Sequence, residues 1–352
     1  MTLPAYGERS PMTLSSPLNL AVVGLGRMGK LYAQTVATRV SGASLYAVAD
    51  PNPAAVAAIR DQHHVPVTAT DARDLFTRPD IHAILIATPT STHADLVIAA
   101  AQAGKAIFSE KPLALTIPET RAAIAAVERT GVPLQVGFNR RYDAAYLKAK
   151  AFIDEGRIGR PVTVKSVGRD PFCPRAEFAD PAKSGGLIID MGIHDFDVSR
   201  WLMGSEVERI SAEGTLAVCD TLAAVGDIDN ALVNLRFANG GLGNVEVSRH
   251  AFYGYDIRTE ILGSAGGINI GGYQHLPVLL LTRDGAQHDV LPYLMESFGP
   301  AYQAQIQAFV DGVREDKPVS PGGADALAAL EIGVAATLSA REGRPVTLAE
   351  LR

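Results

Sequence analysis

Between residues 185 and 204 the chain reads GGLIIDMGIHDFDVSRWLMG, an apolar run interrupted by Asp190, His194, Asp195 and Asp197. Burying ionised groups is costly unless they are paired or used. At about 100° per helical residue, Asp190, His194 and Asp197 share one stripe of roughly sixty degrees. Asp195 points away from it and is the candidate for a structural ion pair. A carboxylate one turn before a histidine can hold the imidazole's tautomer and raise its basicity. Histidine is also the side chain whose ordinary pKa suits proton transfer near neutrality. The chemistry on offer is removal of a proton from a hydroxyl. The plainer alternative is a helix-N-terminal acid beside a core histidine satisfied by a carbonyl. No cysteine or histidine cluster accompanies the pair, so zinc-assisted alcohol oxidation ranks behind and no metal is expected.

A second reactive group stands in SEKPLA, where Lys111 follows a strand-like run. Open α/β sheets bind ligands at the carboxyl ends of their strands, so an ammonium there can bind a reacting oxygen and stabilise alkoxide charge. Pro112 restricts Lys111 to extended backbone, and their peptide bond is a candidate for the cis form. A solvated surface lysine is the ordinary alternative.

The third feature is AVVGLGRMG, which sets Gly24, Gly26 and Gly29 in the G-x-G-x-x-G spacing between a strand and a helix. The first glycine permits a tight turn, the second lets a pyrophosphate approach the backbone, and the third lets helix pack on strand. The phosphates then meet the free N–H groups of a helix N-terminus. Asp50 closes the next strand about 20 residues on, as a dinucleotide fingerprint requires. Its carboxylate suits a ribose diol and repels a 2′-phosphate, so NAD is expected over NADP.

These groups need a frame to position them. From Leu18 onward, LNLAVVGLG, SLYAVAD, HAILIATP, KAIFSEKP and PLQVGFN read as strands, and the Ala-rich stretches between them read as helices. That alternation predicts a doubly wound parallel sheet over residues 18–138. Beyond it, one long helix carries the Asp-His run. Strand-like segments follow, including a hairpin at Asn239-Gly240-Gly241 and a run PVLLLTRDGAQHDVLPY that extends the series. Two helices close the chain near 300–314 and 323–342. Residues 139–352 are thus expected to form an α+β domain with a large, mainly antiparallel open sheet, its last helices free to pack back on the first domain.

Bulk composition narrows the function classes. A length of 352 residues favours two domains, and a 47% apolar content allows real cores. A formal charge of −6 argues against a nucleic-acid partner. No apolar run is expected to span a bilayer, so no membrane partner is expected either. Cys173 and Cys219 are too few for a disulfide framework or an all-cysteine metal site. Residues 1–17 lack the features of a secretory signal and are expected to be a flexible leader, with Met12 as an alternative start. The expected location is the cytoplasm.

Taken together, VVGLGRMG, ATPTSTHADLV, EKPLA, VGFNRRYD, GGLIIDMGIHDFDVSRWL and GYDIRTEILGSAG resemble the glucose–fructose oxidoreductase/inositol dehydrogenase/MocA family, over nearly the whole chain. FNRRYD and the Asp-x-x-x-His-Asp-x-Asp run are most similar to bacterial inositol 2-dehydrogenases. The resemblance implies NAD-dependent oxidation of a ring hydroxyl of a cyclitol, myo- or scyllo-inositol, to a ketone. A pyranose dehydrogenase is the alternative within the family, and an NAD-sensing regulator the alternative outside catalysis. By resemblance Lys111 binds the reacting hydroxyl, His194 is the acid/base and Asp190 orients it. Arg140, Asp170, Asp197, Tyr255 and Tyr302 contact the substrate, with Asp170 standing where asparagine is common. Arg27 and Met28 cover the diphosphate, while Thr88, Pro89, His93, Glu110 and Lys111 flank the coenzyme. A homo-oligomer, dimer or tetramer, built through the C-terminal sheet is also implied.

Overall fold

The computed structural model describes residues 17–272, 274–276, 278–283 and 285–351. The expected leader, but for Pro17, and the alternative start at Met12 therefore lie outside the described residues.

The first half alternates strand and helix: β1 (Leu18–Val23), α1 (Arg27–Thr38), β2 (Ala43–Ala49), α2 (Pro53–His63), β3 (Val67–Ala69) and α3 (Arg73–Phe76). It continues with β4 (Ala83–Ile86), α4 (His93–Gln102), β5 (Ala106–Ser109), α5 (Ile117–Thr130) and β6 (Leu134–Val136). All six strands are parallel, in the order β3-β2-β1-β4-β5-β6. β4 and β5 are buried at every residue, which is why they read as unbroken apolar runs instead of alternation. Helix ends follow local chemistry. Thr116 accepts the amide of Glu119 at the start of α5, and Gly131 ends that helix in left-handed backbone. β3 went unanticipated because three residues are too few to display a period. The strand order reverses between β1 and β4, so the turns after β1, β4 and β5 open on one crevice, the usual ligand site of such sheets.

The second half begins with a 3-10 turn at Asn139–Tyr142, then α6 (Ala144–Asp154), β7 (Pro161–Arg169), α7 (Ala176–Ala179), α8 (Pro181–Ser184), α9 (Gly186–Asp190) and α10 (Gly192–Met203). β8 (Val207–Thr215), β9 (Asn230–Phe237), β10 (Leu242–Ser248), β11 (Asp256–Gly263) and β12 (Gly267–Gly271) follow. β13 (Leu280–Thr282), β14 (Gly285–Gln287), α11 (Leu294–Arg314), α12 (Gly323–Glu342) and β15 (Val346–Thr347) complete the chain. Seven strands form one sheet, β12-β11-β7-β10-β9-β8-β15, antiparallel at every junction except β7–β10. The hairpin joining β9 and β10 turns at Gly240, whose φ is +86°, while the Asn239 side chain accepts the Gly241 amide at 2.9 Å.

Four expectations are corrected. The run 185–204 is two helices, because Lys111 Nζ occupies the Asp190 carbonyl at 2.8 Å and the His194 amide turns to Met191 O instead, at 3.4 Å. The run PVLLLTRDGAQHDVLPY does not extend the sheet; β13 and β14 make a separate ribbon with Leu280 and Leu281 exposed. Cys173 and Cys219 form one disulfide, with Cα atoms 5.6 Å apart, tying the loop after β7 to the loop before β9. Cysteine usage therefore no longer supports a cytoplasmic location. Finally, α12 is long and apolar enough to cross a membrane, with mean hydropathy 1.3. It packs on β8, α10 and α5 with Ala329, Leu330, Ile332 and Ala335 buried, as a core helix does.

The domains share their packing. α11 returns to the first sheet, where Ile306, Phe309 and Val310 meet Leu18, Leu20 and Val22. The opposite face of that sheet is continuous with the core under the large sheet, through Ile84, Phe138, Ile193 and Phe196. A crevice bounded by such a joint core has its two walls held in register.

Candidate active site

The turn after β1 is built for close approach. Gly24 has a φ of +85°, and a Cβ there would sit 2.7 Å from Ala87 O. A Cβ on Gly29 would sit 1.7 Å from Gly24 O, whereas one on Gly26 would meet nothing within 4 Å. Gly24 and Gly29 are thus required by the fold, and Gly26 leaves open space at the N-terminus of α1. Asp50 stands beside this turn: Oδ2 accepts the Leu25 amide at 2.6 Å and Oδ1 the Asn52 amide at 2.8 Å. These residues fit a dinucleotide, with the open side of Gly26 and the α1 N-terminus for a diphosphate and Asp50 for a ribose diol.

The other expected coenzyme contacts divide. Arg27 donates to Tyr293 Oη at 2.9 Å and lies 5.4 Å above that ring, so it reaches from α1 to the loop before α11. Met28 packs against the cluster under α1. Thr88 accepts a hydrogen bond from Thr92 at 2.7 Å, and Pro89 precedes the 3-10 turn leading into α4. His93 is turned away from the crevice, its two ring nitrogens on the carbonyls of Pro112 and Thr88. Glu110 is spent inside as well. It accepts from Tyr32 Oη and from the Lys111 amide, and burial pushes its carboxyl up. Both side chains thus bond to segments that line the crevice.

Lys111, whose bond to Pro112 is cis, projects from the end of β5 across the crevice. Its Nζ donates to Asp190 O at 2.8 Å and lies 3.3 Å from Asp190 Oδ1. Arg249, at the end of β10, holds the other carboxylate oxygen at 3.4 Å and is itself paired with Asp227 at 2.5 Å. The expected Asp190–His194 pair is absent, because Asp190 is committed to these two cations. His194 Nδ1 is buried without a hydrogen-bond partner, an unusual state for a core histidine. Its ring meets Phe138 edge-on at 6.2 Å. Burial, then Lys111 and Arg140, hold its pKa well below the ordinary histidine value, so the ring is a neutral base near pH 7.

Arg140 and Asp197 are both held in buried ion pairs, Arg140 close enough to act on His194, Tyr255 and Tyr302. Arg140 pairs with Asp195 at 2.6 Å, and Asp195 also accepts from Ser166 at 2.6 Å. Asp195 is therefore the structural ion-pair partner that the helical stripe indicates. Asp197 is 0% exposed and bound by both arms of Arg141, at 2.8 and 2.5 Å. A carboxylate so enclosed has no face left for a substrate. Asp170, Tyr255 and Tyr302 do gather at the crevice. Burial and the neighbouring Asp190 push the Asp170 carboxyl up to about 6, against the pull of Arg249, Arg27 and Lys111. Tyr255 packs edge-on with Tyr293 at 5.5 Å, and Tyr302 with Tyr32 at 6.2 Å. Burial raises both phenols, leaving them neutral donors.

Arg249, Asp227 and Tyr293 went unanticipated. Arg249 follows the alternating strand LGNVEVS and opens the aromatic turn RHAFYGY, and a cation at a strand end beside an aromatic turn was the available signal. Asp227 and Tyr293 sit in loops whose partners are remote in sequence, and nothing local marks them.

Two family models match, "Oxidoreductase family, NAD-binding Rossmann fold" over residues 18–138 and "Oxidoreductase family, C-terminal alpha/beta domain" over residues 150–348. The chain is 42% identical over 328 residues to a scyllo-inositol 2-dehydrogenase (NAD(+)) of Bacillus subtilis, covering 93% of this chain and 95% of that protein. It is 35% identical over 335 residues to a myo-inositol 2-dehydrogenase of Thermotoga maritima, covering 95% and 99%. A crystal structure of scyllo-inositol dehydrogenase from Lactobacillus casei with bound NAD(H) and scyllo-inositol superposes with a TM-score of 0.90 at 29% identity, over 95% of this chain and all of that one.

Proposed function

Because the chain belongs to the glucose–fructose oxidoreductase/inositol dehydrogenase/MocA family of NAD-binding oxidoreductases, we propose that it oxidises one ring hydroxyl of a cyclitol, myo- or scyllo-inositol, to the ketone. One observation carries this reading: the Lys111 ammonium, from the dinucleotide domain, meets Asp190 of the second domain next to a neutral, unpartnered imidazole. Bound along Gly24–Gly29 and Asp50, NAD supplies the hydride acceptor. Lys111 donates to the reacting oxygen and stabilises its negative charge as the proton leaves. His194 takes that proton, and its depressed pKa keeps it ready as a base. Asp190 has a different task from the one a hydrolytic triad suggests: clamped by Arg249, it anchors Lys111. Asp170, Tyr255 and Tyr302 offer one acceptor and two donors to the remaining hydroxyls. A site that hydrogen-bonds hydroxyls discriminates strongly, because a missing partner leaves a buried polar group unpaired.

NADH absorbance with a panel of myo-inositol, scyllo-inositol and common pyranoses tests the reading. Turnover of an inositol well above every pyranose is the expected result. Preference for a pyranose makes it a sugar dehydrogenase, and tight NAD binding without turnover of any ring polyol makes it a sensor.

A further inference from the structure

The mechanism leaves several buried titratable groups unused, and one of them faces two carbonyls at once. His93, at the first position of α4, is 1% exposed, and both its ring nitrogens face backbone carbonyls: Nδ1 that of Pro112 at 2.7 Å, Nε2 that of Thr88 at 2.8 Å. We infer that His93 is a positioning residue that ties the Lys111–Pro112 segment to the Thr88–Pro89 segment, so that the reactive ammonium and the coenzyme-side turn are held by one ring. The inference deepens the functional reading above and rests on it for the role of Lys111.

Chemistry makes this tie unequal. A neutral imidazole carries a single N–H, so its two tautomers hold the two carbonyls in alternation. Burial lowers the His93 pKa and favours that neutral form, while both carbonyls pull the other way by favouring a second ring proton. A proton on Nδ1 holds Pro112, and hence the backbone from which Lys111 reaches Asp190. A proton on Nε2 holds Thr88, at the mouth of the crevice after β4. A histidine filling space under α4 would need one such contact; two, to segments from different strands, join parts of the site that no other described side chain bridges directly. Glu110 bonds to the same segment, accepting the Lys111 amide at 3.0 Å.

Asparagine and glutamine separate the two contacts, since the asparagine amide donates near the place of Nδ1 and the glutamine amide near that of Nε2. His93→Asn is expected to keep turnover within about threefold of wild type while weakening NAD binding about five- to tenfold, the loss of one hydrogen bond. His93→Gln is expected to show the reverse, with NAD Kd near wild type and kcat down about tenfold. NAD Kd is measured by calorimetry without substrate, so it tests His93 even if wild-type enzyme turns over no ring polyol, an outcome that sinks the functional reading alone. Equal losses in both variants, or no change in either, overturn the inference. Should neither variant fold, ring-15N-labelled wild-type enzyme decides. Couplings from both ring nitrogens to 13C-labelled carbonyls of Pro112 and Thr88 support the tie, and coupling to one alone or a freely exchanging ring refutes it.

Discussion

The turn after β1 and the break between α9 and α10 both present backbone polar groups to the crevice, by opposite means. The first is self-sufficient in its backbone shape. Gly24 and Gly29 adopt conformations and approaches that no side chain permits, against Ala87 and within the turn, Asp50 accepts the Leu25 amide, and the amides of α1 then point outward. The second is assembled. Asp190 takes its position from Lys111 of β5 and Arg249 of β10, and His194 is screened by Phe138, which follows β6. A self-sufficient element fails locally when altered, whereas an assembled one divides its failures among chemistry, stability and pH response.

The largest expected effect lies in the assembled region. His194→Ala should lower kcat about 10²–10⁴-fold, the usual worth of a positioned proton acceptor, with NAD Kd unchanged by calorimetry. Undiminished turnover would take the imidazole out of the mechanism and with it the contrast drawn here. Within the same helix, Asp197→Asn should cost about 3 kcal/mol of stability in denaturant titrations. That is the low end for breaking a buried pair, because Arg141 keeps Asp325 at 2.7 Å. Turnover by the folded variant should persist; a raised KM at unchanged stability would return Asp197 to the substrate.

The self-sufficient turn gives a smaller and cleaner change. Gly26→Ala adds a methyl to open space, so Tm should hold while NAD binding weakens about tenfold or more, roughly 1.4 kcal/mol. A matching loss of Tm would mean that Gly26 serves the fold as Gly29 does. The pH response is the mildest test. His194 must be neutral to accept a proton, and its lowered pKa keeps it neutral well below pH 6.5. Asp170, pushed up to about 6, loses its charge first as pH falls. An acid limb in kcat/KM near pH 6 is therefore expected, and Asp170→Asn should move that limb to lower pH.

Some of this was legible without coordinates. The glycine spacing, the Asp50 position, Lys111 at a strand end and the strand–helix alternation all express local constraints on backbone angles and on burial period, which a few neighbouring residues suffice to state. The cis Lys111–Pro112 bond belongs with them. Three pairings have another cause. Asp190 and Asp197 were placed on one face by helical arithmetic and Arg140 at the substrate by resemblance, and each took the counter-charge that packing brought near: Lys111, Arg141 and Asp195. Arg140 and Arg141 are adjacent in sequence and serve different aspartates two residues apart, a choice made by the path of the 3-10 turn at Asn139–Tyr142.

By itself, the order of residues determined where a dinucleotide could lie and that an ammonium, a carboxylate and an imidazole would share one crevice. Only the tertiary structure decided which charges face that crevice and which are consumed inside it, and that the His93 and Glu110 side chains turn inward. The reason is physical: backbone conformation answers to adjacent residues, while the partner of a buried charge is whichever opposite charge the packed core carries within hydrogen-bond reach.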